Sequence, residues 1–213
     1  MTTRFERQLE ELHVQIITMG SLCEKVIAFS AKAIQGVNCS KEVFDTDREI
    51  DAKEREIENI CMRLLLHQQP VARDLRVISS ALKMISDMER IGDQASDIVE
   101  LAKYIKDSNL KYQVHLNDMA NEVIKMVTLS VDSFVSKDLD KAKSVILSDD
   151  VVDNYFDEIK KELISKIAED TEGGEECIDT LMIAKYLERI GDHATNIAGW
   201  VEYSILGTHY EGE

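Results

Sequence analysis

The chain has 213 residues, 41 acidic and 25 basic, for a formal net charge of −16. So large an excess of acid lacks the positive footprint that displaces counterions from phosphates, which excludes direct nucleic-acid binding. Nine glycines and one proline are too few for the turns of sandwiches, barrels and doubly wound sheets, and fit a few long helices joined by short connections.

The first helix is expected over 4–37, with apolar residues at i, i+3 and i+4 spacing: Leu9, Leu12, Ile16, Met19, Val26 and Phe29. Asn38-Cys39-Ser40 breaks it, with Ser40 as the expected N-cap. A second helix over 41–67 repeats Val43, Ile50, Ile57 and Leu64 every seventh residue, until Pro70 blocks its continuation. The third, over 71–107, carries Val77, Met84, Ile91, Ile98 and Ile105, with Ala81, Met88, Ala95 and Ala102 interleaved four residues on. Two such positions per heptad form the seam of helices packed side by side at a shallow angle. A link follows at 108–111, and then the pattern restarts. The fourth helix is expected over 112–136 and the fifth over 139–169, with Gly173-Gly174 marking the end of the fifth and opening the sixth, as Pro70 opens the third. The sixth, over 175–206, repeats Ile183, Ile190 and Ile197, with Leu187, Ala194 and Val201 interleaved.

No run of 18 apolar residues is evident, so no membrane insertion is expected. The N-terminal MTTRFERQLEEL has no apolar export core, and a cytoplasmic location is expected. Cys23, Cys39, Cys61 and Cys177 form no CxxC pair and read as buried free thiols.

The restart is an internal repeat. Glu89-Arg90-Ile91-Gly92-Asp93 returns 99 residues later as Glu188-Arg189-Ile190-Gly191-Asp192, and Asp47 with Asp51 returns 102 residues later as Asp149 with Asp153. The expected architecture is all-α: two tandem three-helix bundles, six long helices in all, related by a pseudo-twofold repeat in a spectrin-like arrangement, with units 1–109 and 110–213.

The repeated residues are mostly acidic. Glu89, Asp93 and Asp97 stand four apart, one ridge along a helix. Glu89 and Asp93 lie about 160° around the helix from Ile91, away from the apolar seam. The matching ridge is Glu188, Asp192 and Asn196. Asp47 and Asp51 on the second helix, and Asp149 and Asp153 on the fifth, add to the two ridges. Like charges at i, i+4 repel unless cations intervene, and such an oxygen-rich patch suits Mg²⁺, Ca²⁺, Mn²⁺, iron or, less typically, Zn²⁺. A solvated acidic face is the plainer alternative, but such a face has no need of the same five residues twice. Gly92 and Gly191 sit mid-helix, where glycine costs about 1 kcal/mol relative to alanine. They permit close approach of a neighbouring helix or of a metal cluster, and close helix packing is the expected reason.

The run Pro70-Val71-Ala72-Arg73-Asp74-Leu75-Arg76, with Met88-Glu89-Arg90-Ile91-Gly92-Asp93 after it, resembles the first signature of PhoU phosphate-transport regulators. Tyr186-Leu187-Glu188-Arg189-Ile190-Gly191-Asp192-His193-Ala194-Thr195-Asn196-Ile197 resembles the second. The resemblance spans nearly the whole chain. It implies two three-helix bundles side by side, with multinuclear metal clusters on the repeated motifs: Glu89 with Asp93, and Glu188 with Asp192. Asp97, Asp47, Asp51, Asn196, Asp149 and Asp153 are further candidates. It also implies negative regulation of phosphate uptake and of the phosphate-starvation regulon, as an adaptor between a phosphate ABC transporter and a sensor histidine kinase. A homodimer is compatible with this reading. Asn196 stands where the first repeat has Asp97, one carboxylate fewer in the second cluster.

Nothing in the chain argues for catalysis: there is no glycine-rich phosphate loop and no G-x-S-x-G elbow. A di-iron carboxylate enzyme would carry Glu-x-x-His motifs aimed inward, whereas Glu89 and Glu188 are followed at that spacing by Gly92 and Gly191. A metal-free helical adaptor shares the fold and is separated from the metal reading by elemental analysis. A phosphate sensor is disfavoured by the net charge unless a metal bridges the anion. The start of the third helix (Leu75, Ile78, Leu82 and Ile85 opposite Val77 and Met84) and residues 178–187 of the sixth are apolar all round, so both are expected centrally, where the bundles meet.

Overall fold

The computed structural model describes residues 4–67, 70–105, 115–169 and 173–208. Six helices and no strand occur among them: α1 (Arg4–Ile34), α2 (Ser40–His67), α3 (Ala72–Ala102), α4 (Leu116–Ser136), α5 (Leu139–Glu169) and α6 (Gly174–Leu206). The heptad positions are the core. Val43, Ile50, Ile57 and Leu64 on α2, Met84, Ile91 and Ile98 on α3, and Ile183, Ile190 and Ile197 on α6 are all fully buried, each worth about 1.5–3 kcal/mol in transfer free energy. The four cysteines are free and buried.

Helices α1, α2 and α3 pack on one another, as do α4, α5 and α6, and the two groups join through α3 against α6 and α1 against α4. Helices α2 and α5 are therefore outermost. Arg76 approaches Gly207, Lys83 lies over Trp200 and Asp87 bonds His193. Early α3 thus meets late α6, and the two run antiparallel. Each motif helix crosses the other near its own Ile-Gly pair, on the pseudo-twofold. Helix α1 runs antiparallel to α4 in the same way: His13 meets Phe134, Gly20 meets Val131 and Gln35 bonds Asn117. Gly20 allows this approach, since a Cβ there would stand 2.9 Å from Val131 Cγ2.

Several boundaries differ from those expected. Helix α1 ends at Ile34, where Gly36 closes it in the left-handed region, with its N–H on Ala33 O and that of Val37 on Lys32 O. The cap of α2 lies before Ser40: Val43 N–H bonds Cys39 O, and the Asn38 side chain supplies the capping oxygen, its Oδ1 accepting from Ser40 N–H. Asp138 caps α5 through Oδ1, accepting from the N–H groups of Asp140 and Lys141 at 3.1 Å each. Gly173-Gly174 opens α6, as expected, with Gly173 at the N-cap. Helix α3 stops at Ala102, short of the expected 107. The expected link at 108–111, and the junction of the two units there, lie outside the described residues.

Two burial expectations are corrected. α3 and α6 do pack centrally, but Leu75, Ile178 and Met182 are 43%, 58% and 39% exposed, because one face of each helix stays uncovered near its start, while Ile78, Met84 and Ile85 are buried. One stretch is also more apolar than the sequence reading allowed: α1 contains an 18-residue window of mean hydropathy 1.3, enough by length and composition for a membrane span. Here its apolar stripe, Leu12, Ile16, Met19, Cys23, Val26 and Ile27, is buried against neighbouring helices, as a core helix of a soluble bundle would be.

Candidate metal centres

The acidic ridges face solvent from the grooves where α2 lies on α3 and α5 lies on α6. In the first groove Asp47 is the innermost carboxylate. Its Oδ2 accepts a 3.1 Å hydrogen bond from Ser96 Oγ, while its Oδ1 is buried without a partner. That oxygen lies against Gly92: a Cβ there would overlap it, and would stand 3.3 Å from Ile50 Cδ1. The close approach expected at Gly92 is thus the approach of a carboxylate together with a core isoleucine. In the second groove Asp149 and Val152 take these places beside Gly191, less tightly, at 3.7 and 3.4 Å from the added Cβ. Thr195, aligned with Ser96, places its hydroxyl near enough to oppose the upward shift of Asp149, although it makes no well-formed hydrogen bond.

Burial is the first cause of weakened acidity throughout, because a carboxylate loses hydration in a groove between helices. It raises Asp47, with Asp51 and Asp93 adding to the shift and Ser96 opposing it. It raises Glu89, helped by Asp93 and Glu54. It raises Asp97, helped by Asp93 and Glu100 and opposed by Arg189 from the other repeat. In the second groove burial, Asp192 and Asp153 push Asp149 up to about 6. Burial and Glu188 raise both Asp153 and Asp192, with Lys185 opposing. Carboxylates crowded until they resist ionisation are what a bound cation would relieve.

Glu54 was not foreseen. It sits one helical turn from Asp51 and is itself raised by burial and by Glu58 and Asp51. Its signal was present in the i, i+3 spacing from Asp51. Lys185 was not foreseen either: it pairs with Glu188 and lies over the Phe156 ring. By the repeat offsets Phe156 stands where Glu54 stands, and Lys185 where Ser86 stands. Arg90 pairs along its own helix with Asp93 at 3.0 Å and Glu89 at 3.5 Å, a surface ion pair of small value.

Asn196 is occupied elsewhere. Its Nδ2 donates to Asp87 Oδ1 at 3.2 Å, and the same oxygen meets His193 Nδ1 at 2.9 Å. This bond links α6 to α3 across the two repeats and turns Asn196 away from Asp149. The structure therefore gathers Asp47, Asp51, Glu89, Asp93 and Asp97 with Glu54 on one side, and Asp149, Asp153, Glu188 and Asp192 with Lys185 on the other. The donor set is all carboxylate, which fits hard cations. Among the described residues no three acidic, histidine or cysteine side chains converge on one point. The carboxylates form a layer, and ligation requires their side chains to swing inward, led by the partnerless Asp47 Oδ1.

The PhoU domain family model matches the chain twice, over residues 16–102 and 116–201. Over 207 residues the chain is 38% identical to the phosphate-specific transport system accessory protein PhoU homolog of Clostridium acetobutylicum, covering 95% of this chain and 94% of that one. It is 29% identical to the Escherichia coli K12 protein of that name, covering 97% and 87%. The crystal structure of PhoU from Pseudomonas aeruginosa superposes with a TM-score of 0.87 at 33% identity, covering 96% of this chain and all of that one. The phosphate transport system regulatory protein PhoU from Streptococcus pneumoniae superposes with a TM-score of 0.88 at 26% identity, covering 98% and 100%.

Proposed function

The chain belongs to the PhoU family, and on that premise we propose that it is a non-enzymatic negative regulator of phosphate uptake and of the phosphate-starvation response. It acts on the cytoplasmic side as an adaptor between a phosphate ABC transporter and a sensor histidine kinase, with metal ions on its two acidic faces. The family membership and the names of the relatives support the phosphate-transport part of this reading.

The observation that carries the metal part is the matched build of the two grooves. Asp47 beside Gly92 and Ser96 is repeated as Asp149 beside Gly191 and Thr195, although a solvated face has no need for a glycine under its carboxylate. Asp47, Asp51, Glu89 and Asp93 would hold metal on the first face, with Asp97 and Glu54 at its edges. Asp149, Asp153, Glu188 and Asp192 would hold it on the second. Iron, manganese, zinc or magnesium would there neutralise the layer and fix α2 to α3, and α5 to α6, as rigid docking surfaces. These residues supply no nucleophile paired with a base, and their role is to bind charge and set the spacing of helices.

The test is Glu89→Ala combined with Asp93→Ala in the chromosomal gene. Phosphate-starvation genes should be derepressed in rich medium while the purified variant keeps wild-type helicity. Normal repression would refute a functional role for the first face. Elemental analysis of protein refolded with iron, manganese or zinc and then washed should find bound metal, and metal-free protein would refute the cation reading while leaving the adaptor reading standing.

A further inference from the structure

The two repeats close their first helices with the same geometry but different chemistry. In α1 the N–H of Gly36 bonds Ala33 O and the next N–H bonds the carbonyl five residues back; in α4 the N–H of Lys137 bonds Phe134 O and that of Asp138 bonds Ser133 O. Both capping residues are left-handed, Gly36 at φ 89 and Lys137 at φ 54. Glycine is the inexpensive choice there, and a side chain at such a φ costs about 1 kcal/mol. The lysine is thus retained against the backbone's preference, and its ammonium needs another explanation.

Lys137 stands at the mouth of a cavity of about 210 Å³. The cavity lies where the start of α1 and of α3 meet the end of α4 and of α6, and His13, Arg73 and Ser204 line it with Phe134. Three of these residues are basic and no lining residue is acidic, in a chain with formal charge −16. Neither Arg73 nor Lys137 has a carboxylate partner among the described residues. His13 packs its ring edgewise on Phe134, with centroids 5.5 Å apart, and its Nε2 is buried without a hydrogen-bond partner. Burial and the charge of Lys137 hold its imidazole below the usual value, against the opposing pull of Glu10, so His13 offers a neutral N–H. A separate cavity of about 300 Å³ at the end of α1 is lined by Gly36 and the turn into α2 together with the end of α3. Its one cation, Lys103, lies over the Phe44 ring at 5.7 Å. At the two equivalent helix caps, then, the first repeat has a glycine and the second a cation that reaches a basic cavity.

We propose that the cavity at the α4 end binds a tetrahedral oxyanion of the phosphate type. Arg73 and Lys137 would grip it at the mouth, and His13 Nε2–H would donate from inside. A share of liquid volume near 30 Å³ per water leaves room for one such ion with bridging waters. Arg73 supplies paired N–H donors matched to an oxyanion and Lys137 a point charge. The inference uses local charge and geometry alone, so it stands or falls separately from the regulatory reading and from the acidic faces on the opposite grooves.

The test is titration of the purified protein with inorganic phosphate, and separately with sulfate, at ionic strength held constant with sodium chloride. The readout is the His13 imidazole resonance in a nitrogen–proton NMR spectrum. A saturable shift with phosphate is expected, together with a rise in the His13 titration midpoint, since a bound anion favours imidazolium. Arg73→Gln and Lys137→Gly should each weaken binding about tenfold; Lys137→Gly suits the left-handed backbone, so the fold is retained. Sulfate binding of similar strength supports the oxyanion class. A shift that fails to saturate, or one unchanged in both variants, overturns the proposal.

Discussion

Gly92 and Gly191 occupy equivalent positions in the repeat, yet alanine at the two should act with opposite sign. At Gly191 the nearest atoms to an added Cβ are Val152 Cγ1 at 3.4 Å and Asp149 Oδ1 at 3.7 Å, ordinary contact distances. Gly191→Ala should therefore keep the helix-propensity gain of about 1 kcal/mol. At Gly92 the added methyl overlaps Asp47 Oδ1 and meets Ile50 Cδ1 at 3.3 Å. Asp47 must swing away from Ser96, and a fully buried isoleucine must shift. Overpacking costs about 1–3 kcal/mol and the lost hydrogen bond about 1 kcal/mol. Set against the propensity gain, this leaves Gly92→Ala destabilised by about 1 kcal/mol or more. Urea unfolding of metal-free protein followed by circular dichroism reads both midpoints. A cycle with Asp47→Ala isolates the cause: in that background Gly92→Ala should lose most of its penalty. Equal shifts at the two glycines, or a Gly92 penalty that persists without Asp47, would refute this account of the mid-helix glycines.

Asp149 has its acidity weakened from 3.8 to about 6, first by burial and then by Asp192 and Asp153. The folded state's preference for the proton is stability present below the ordinary carboxylate range and lost as pH rises toward 6. Asp149→Asn, neutral at every pH, should thus match wild type in acid and exceed it by about 1 kcal/mol at pH 7 in metal-free protein, after screening at this half-exposed position is allowed for; thermal melts across pH 4 to 8 in a chelator check this. Lys185→Met removes the cation paired with Glu188 and opposing the shifts of Asp153 and Asp192. It should tighten Mn²⁺ binding at the second face severalfold, read by titration calorimetry, and leave the first face unchanged. Ser96→Ala removes the hydroxyl bonded to Asp47 and should destabilise the metal-free protein by about 1 kcal/mol in urea.

Helices, their order and the seam were legible because they follow from period alone. Ile50, Ile91 and Ile190 recur at sevens, and all three are fully buried. Helix ends were less legible, because a cap is decided by one or two local bonds. Asn38 and Asp138 both cap with a side-chain oxygen, and only the hydrogen bonds show which residue of a polar run does so. The acidic ridges were readable from spacing at i, i+4, which fixes a face. Glu54 stood at i, i+3 from Asp51, but its place beside Glu89 on α3, like that of Lys185 over Phe156 on α5, depends on a register between helices that spacing within one helix does not carry. Asn196 was placed in a ridge by the same angular rule. A competing acceptor, Asp87 on the antiparallel helix, takes its amide.

The repeat also exposes where the two halves have diverged. A duplicated backbone imposes the same packing on both copies, so residues that differ at equivalent places are free of that common constraint. On the acidic faces Glu54 and Ser86 of the first copy correspond to Phe156 and Lys185 of the second, so one carboxylate is lost and one cation gained, and that cation stacks on the very ring that replaced the acid. At the helix caps Gly36 corresponds to Lys137, again a cation gained, here against the backbone's preference. Both changes make the second half less negative at defined points while its core keeps the heptads of the first. Fold and charge are thus carried by separate sets of positions: the interior isoleucines hold the two bundles in register, and the groove and cap residues give each bundle its own ion chemistry.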